Sequence, residues 1–239
     1  MTRRPGYWLR LGGFTLALNL VGAAVAVGAF SLQAARSVVF PARVVDERTP
    51  LDEGLPYEAV GFPSSDGVPL RGWFLPGGPA AVVLAHGHAS NKGAMLDYAR
   101  FLREQGGYSV LLFDFRAMGE SDGTLCTLGY YEGQDVAGAV AWLRTHPGVD
   151  PARIGALGVS MGAATLLMMG DGLHQFRAVV ADSAFGDGES LVGRLDRWFR
   201  LPRWPFSWTV PLAVQAVAGL APRDVAPLRR VAAAAPTPL

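Results

Sequence analysis

A chain of 239 residues that is 50% hydrophobic and 17% charged is long enough for one large domain with an appendage, and too apolar for wholesale disorder. A formal net charge of +1, without a basic stripe interleaved with aromatics, argues against nucleic acid as a partner. One cysteine, Cys126, excludes an internal disulfide and a cysteine-based metal cluster, and no His and carboxylate set has ligand spacing, so neither metal nor cofactor is expected.

The N-terminus carries Arg3, Arg4 and Arg10, and then no charge falls between Leu11 and Leu32. About 20 such residues cross a bilayer's hydrocarbon core, and a run this long, with no small-x-small site after it, favours an uncleaved anchor over the alternatives of a cleaved signal peptide or a core helix. Arginines on the leading flank would hold that end in the cytoplasm and send the rest across, although Arg36 and Arg43 follow on the far side. The expected organisation is a cytoplasmic tip and single-pass membrane helix over 1–36, a Pro- and charge-containing linker over 37–56, and an extracytoplasmic domain over 57–239.

Within that domain, Tyr57 to Phe62 and Leu70 to Leu75 read as strands joined through Asp66-Gly67, a hairpin turn. Ala80 to His86 and Tyr108 to Phe113 are continuous apolar runs, as expected for strands buried on both faces of a parallel sheet. A helix is expected over Asn91 to Glu104, stopped by Gly106-Gly107, and another from about Glu132 to Thr145. Strand Arg153 to Leu157 then runs into Gly158-Val159-Ser160-Met161-Gly162 and a small-residue helix, Ala163 to Met169, and Phe176 to Ala181 is a further strand ending at Asp182-Ser183. Glycines flanking Ser160 permit a turn too tight for side chains, which pushes the hydroxyl out at its tip. The same turn sets the Met161 N–H at a helix start, where it can meet developing negative charge.

Strands alternating with helices predict right-handed βαβ units, with chemistry at the carboxyl ends of the strands. Ser160, the His86-Gly87-His88 turn, Asp114 and Asp182 all fall at those ends. His146 and His174 precede strands and should lie at the opposite edge, roughly 20 Å away, beyond hydrogen-bond reach. From about 185 to 225 the periodicity weakens and Trp198, Phe199, Trp204, Phe206 and Trp208 accumulate, which suits a cap that packs on the sheet edge or walls a substrate pocket. The tail from Val231 to Pro238 looks featureless.

Taken in order, the strand ending in His86-Gly87, the loop from Asp114-Phe115-Arg116 to Gly119-Glu120-Ser121, the elbow at Ser160 and Ala181-Asp182-Ser183 resemble the α/β-hydrolase superfamily. Membrane-anchored bacterial members of the serine-aminopeptidase-like and prolyl-oligopeptidase-like kind are the nearest in appearance. The resemblance covers Tyr57 to about Leu239. It implies an α/β fold with a mainly parallel sheet flanked by helices and an N-terminal antiparallel hairpin. The implied activity is that of a serine hydrolase acting by acyl transfer on a small-molecule or peptide ester or amide, with no cofactor. Ser160 would be the nucleophile and the backbone N–H groups of Met161 and His88 the oxyanion hole, with His86, Asp114, Arg116 and Asp182 in support. Asp114 and Arg116 read as a structural pair, Asp182 as a partner of loop backbone or of a histidine, and His88 as the one improvised base. In the family, the acid and histidine strands follow the segment that here reaches Leu239. The last strands are therefore expected to be missing and activity impaired; the alternative is a non-catalytic, membrane-tethered binding module that keeps the hydrolase shell.

Overall fold

The computed structural model describes residues 5–45, 48–194, 197 and 200–239. The aromatic residues Trp198 and Phe199, and the arginines Arg3 and Arg4, lie outside that set.

Six strands form one sheet: β1 (Glu58–Pro63), β2 (Pro69–Leu75), β3 (Gly78–Ala85), β4 (Tyr108–Phe113), β5 (Ile154–Val159) and β6 (Val179–Asp182), in the order β1-β2-β4-β3-β5-β6. The hairpin β1–β2 is antiparallel, and β2 pairs antiparallel with β4, whereas β3, β4, β5 and β6 run parallel. β4 is buried from Ser109 to Phe113, and Val83, Leu84 and Ala85 of β3 are fully buried, which is why both read as unbroken apolar runs.

Helix α2 (Leu96–Gly106) covers one face of the sheet and ends at Gly107, whose φ of 64° is a left-handed cap. Helices α3 (Glu132–Thr145) and α4 (Met161–Met168) cover the other, around Phe113, Phe115, Val136, Val140 and Ile154. The sheet class, the antiparallel hairpin and the flanking helices are those expected from the sequence. Beyond β6 come α5 (Gly188–Gly193) and α6 (Arg203–Ala218).

The N-terminal helix α1 (Pro5–Val39) differs from the expected boundary at 36. Its residues 10–26 are exposed throughout, but Ser31, Ala34, Ala35 and Val39 are buried at helical spacing against Val210 and Val214 of α6. Phe30 meets Phe206 edge to face at 5.2 Å between centroids, and Ser31 donates to the Thr209 hydroxyl at 2.7 Å. The exposed apolar segment and the domain therefore meet inside one helix. The segment that follows is docked as well: Cys126 N–H donates to the Val39 carbonyl (2.8 Å), Asn91 donates to the Val44 carbonyl (3.1 Å), and Arg43 donates to the carbonyls of Gly119, Ser121 and Gly123.

The tail is not featureless either. Val179 N–H of β6 donates to the Pro238 carbonyl at 2.9 Å and the Thr237 hydroxyl to the Leu173 carbonyl at 3.1 Å, so the last residues run beside the β6 end of the sheet.

Candidate active site

β5 passes into α4 through Ser160, whose φ of 53° and ψ of −109° lie outside the regions an L-residue prefers. Such a conformation costs about 1–3 kcal/mol and persists where surrounding packing dictates it. Here the packing is explicit. A Cβ on Gly162 would stand 2.1 Å from the Ala85 carbonyl oxygen, and one on Gly158 would stand 2.5 Å from the Gly162 carbonyl carbon. β3, β5 and α4 approach one another at a distance only glycine allows, and the side chain of Ser160 is left exposed. Its N–H donates to the Asp182 carbonyl at 2.9 Å, tying the elbow to the end of β6.

The His86-Gly87-His88 turn closes over the same point; a Cβ on Gly87 would lie 3.7 Å from Ser160 Cβ. Non-glycine residues with positive φ gather here, with Ala89 at 50°, Leu128 at 57° and Ser183 at 56° joining Ser160. As the first residue of α4, Met161 has an N–H without an intrahelical acceptor. The pocket in front of Ser160 has a volume of about 140 Å³ and is lined by Val38, His88, Leu128, Met161, Phe185, Leu191 and Val192. Its character is apolar. Phe185, Leu191 and Val192 come from the segment expected to act as a cap, whereas Trp204, Phe206 and Trp208 do not line the pocket.

The histidines are accounted for individually. His86 is fully buried, and burial holds its ring below the ordinary pKa, so it is neutral. Its Nε2 accepts from the Phe115 N–H (3.1 Å), so the proton sits on Nδ1 and is donated to the Gly87 carbonyl (2.7 Å). His88 donates from Nε2 to the Val38 carbonyl of α1 at 2.8 Å. His146 packs tilted against Phe74 at 4.1 Å and Trp142 at 4.8 Å between centroids, and His174 Nε2 donates to the Ala235 carbonyl at 2.7 Å. Among the described residues, no imidazole is hydrogen-bonded to Ser160.

The acidic residues are arranged differently from the sequence reading. Asp114 does not pair with Arg116. It takes Lys92 Nζ at 2.7 Å and the backbone N–H groups of Lys92 (2.7 Å) and Glu120 (3.0 Å), and Lys92 also reaches Glu120 and lies over Trp73 at 4.7 Å. Arg116 instead holds both oxygens of Asp66 (2.9 and 2.6 Å) in the hairpin turn and Asp135 of α3 through Nε at 2.9 Å. Both networks buttress the loop from Asp114 to Gly123. Asp182 is hydrogen-bonded to side chains, not loop backbone: the Ser183 hydroxyl at 2.8 Å and the Tyr98 hydroxyl at 3.0 Å, which together hold its pKa below the ordinary value.

Three contributors escape sequence reasoning. Val38, expected in the linker over 37–56, lines the pocket from the last turn of α1. Glu132, fully buried, accepts from Thr127 N–H (2.7 Å) and Gly129 N–H (2.8 Å) and so shapes the turn that presents Leu128. Lys92 had a signal, being the one lysine among twenty arginines, since Lys and Arg together number 21.

Comparison with known proteins bears on the fold and the family. Residues 77–229 match the family described as X-Pro dipeptidyl-peptidase (S15 family). The uncharacterized protein YfhR of Escherichia coli (strain K12) is 33% identical over 147 residues, 58% of this chain and 51% of the relative, so the chain spans about half the length of the curated relatives it matches. Thiohydrolase aneE of Aspergillus aculeatus is 41% identical over 116 residues, covering 46% of this chain and 36% of the relative. The solved esterase Pf2001 of Pyrococcus furiosus superposes with a TM-score of 0.66 at 32% identity, over 79% of this chain and 71% of that one.

Proposed function

The chain belongs to the X-Pro dipeptidyl-peptidase (S15) family of α/β hydrolases, and from that premise we propose that it is a serine hydrolase acting on an ester or amide through Ser160. The observation that carries the reading is the strained, glycine-flanked elbow that leaves the Ser160 hydroxyl exposed in an apolar pocket. Ser160 Oγ attacks the acyl carbon and gives up its proton, the N–H groups of Met161 and His88 receive the oxyanion, the alcohol or amine departs with that proton, and water cleaves the acyl-enzyme to the carboxylic acid and restores the Ser160 hydroxyl. One well-placed oxyanion donor is worth about 3 kcal/mol in such a step. The substrate is an acyl compound, small molecule or peptide, whose acyl side is apolar, and α1 spans the membrane with the hydrolase domain on the extracytoplasmic side.

A second reading, a membrane-tethered binding module, draws on the absence of an imidazole bonded to Ser160 among the described residues. Serine without its base loses several orders of magnitude in rate. The 239 residues alone are accordingly expected to turn over activated esters slowly.

Fluorophosphonate labelling and p-nitrophenyl acetate hydrolysis of the full chain, beside Ser160→Ala, separate the two. Labelling that disappears in Ser160→Ala supports the hydrolase. Equal labelling and hydrolysis in both chains rules out Ser160 as nucleophile, and unchanged ligand affinity without turnover favours the binding module.

A further inference from the structure

Helix α6 is uncharged from Trp204 to its end at Ala218, a stretch of the kind found inside proteins or against lipid. Only one of its sides is covered. Phe206, Thr209, Val210 and Val214 pack on α1, while Trp208 and Leu212, one turn apart on the opposite side, are 69% and 64% exposed, and Trp204 at the kinked entry is 76% exposed. Two tryptophans and a leucine in water on an otherwise apolar helix call for a partner.

The position of this face along α1 identifies the partner. The two helices run in the same direction: Phe206 meets Phe30, and further along Val39 shares the lining of a small apolar space with Val214 and Ala218. From Leu11 to Phe30 an α-helix rises about 29 Å, the thickness of a bilayer's hydrocarbon core. If α1 spans, the start of α6 therefore stands at the level where α1 leaves the hydrocarbon, which is where tryptophan side chains settle.

Charge agrees with depth. Before α6 and at its first residue the chain carries exposed Arg194, Arg200 and Arg203. Arg194, Arg197 and Arg203 line one open cleft with Ser190 and Ser207, and among the described residues Glu189 is the one acidic residue lining it. Arginines of this density beside an apolar, tryptophan-bearing helix end match lipid phosphates above and acyl chains below.

We propose that the corner where α6 begins, carrying Trp204 and Trp208 with Arg194, Arg200 and Arg203, docks on the anionic phospholipid headgroups of the leaflet from which α1 emerges. The proposal rests on the reading of α1 as a membrane span, and it makes the contact two-legged: one helix through the bilayer, one helix end seated on it. Val38 lies eight residues past Phe30, about 12 Å farther along the axis, so docking holds the mouth of the Ser160 pocket close above the headgroups.

The test uses the full chain reconstituted in phosphatidylcholine vesicles with and without phosphatidylglycerol, containing acyl-chain dibrominated lipid as a tryptophan quencher. Quenching is expected to fall by about half in Trp204→Phe/Trp208→Phe, whose phenyl rings preserve the apolar face. It is also expected to weaken when phosphatidylglycerol is omitted and in Arg194→Gln/Arg203→Gln. A chain that floats with the vesicles yet is quenched equally with and without Trp204 and Trp208 overturns the docking. So does a pair of tryptophans shielded from aqueous acrylamide only in a dimer in detergent, which would assign the face to a second copy. A chain that fails to float overturns the span itself. Fluorophosphonate labelling of Ser160 is independent of all three outcomes.

Discussion

At the scale of single residues, the elbow is held by exclusion as much as by attraction. The 2.1 Å separation between a Cβ on Gly162 and the Ala85 carbonyl leaves no flexible side chain to yield, because the obstacle is backbone. Gly162→Ala is therefore expected to cost about 3 kcal/mol or more, read as a lowered denaturation midpoint, whereas Gly193→Ala, which meets nothing, should leave that midpoint within about 0.5 kcal/mol. Lys92 presents the converse case. Its ammonium neutralises Asp114 where both side chains are nearly dry, at 5% and 0% exposure. Lys92→Ala strands a buried carboxylate and is expected to destabilise by about 3–5 kcal/mol in urea titration, with Asp114→Asn in the same chain recovering part of the loss. His86 adds a pH signature. Its folded pKa lies below the ordinary value because it is buried, so the unfolded chain takes up a proton that the folded chain refuses. Stability should thus fall as pH drops through about 6.5, by at most about 1.4 kcal/mol per pH unit. Melting temperatures between pH 8 and pH 5 check this, and the slope should flatten in His86→Asn.

At the scale of elements, α1 is two helices in one. Its first half is exposed and apolar, and its last three turns are a structural part of the hydrolase, with Ala34, Ala35 and Val39 buried and the carbonyls of Val38 and Val39 bonded to His88 and Cys126. A chain beginning at Phe30 should melt close to the full-length domain, while one beginning at Arg48 should lose roughly 10 °C, since it forfeits about 3–5 kcal/mol of burial and hydrogen bonding. The contrast also explains what was legible beforehand. β3, β4 and β5 announce themselves as unbroken apolar runs between glycines and loops, and α3 shows its 3.6-residue stripe from Val136 to Leu143; these are local signals. The docking of α1 on α6, the Lys92–Asp114 pair and the tail beside β6 join residues 178, 22 and 59 positions apart, as in Ser31–Thr209, Lys92–Asp114 and Val179–Pro238. No periodicity encodes such pairings. Asp114 and Arg116 misled for the same reason: both lie in the loop past β4, where Asp114 turns to Lys92 and Arg116 to Asp66 and Asp135, partners that no local pattern reveals.

At the scale of the whole molecule, α1 and the Ser160 pocket share one wall. Val38, Leu128 and Val192 line the pocket before Ser160 and also the smaller space behind it, where Cys126, Val214 and Ala218 close the far side. An acyl chain entering at Ser160 would thus run toward the seam between α1 and α6. The volume of about 140 Å³ bounds its length, for an apolar cavity of about 150 Å³ holds one benzene molecule. Acyl groups of about four to six carbons fit, and each buried methylene contributes about 0.8 kcal/mol, so hexanoyl over acetyl gains at most about 3 kcal/mol, or roughly 100-fold in kcat/KM. Val38→Trp fills that space from the α1 side while leaving Ser160 itself unchanged. It is expected to lower kcat/KM for p-nitrophenyl hexanoate by at least about tenfold while leaving the acetate ester within about threefold. Calorimetric binding of hexanoate against acetate to Ser160→Ala, with and without Val38→Trp, reads the same preference without turnover. Equal loss on both esters would mean that the last turn of α1 supports the fold but does not select the acyl group.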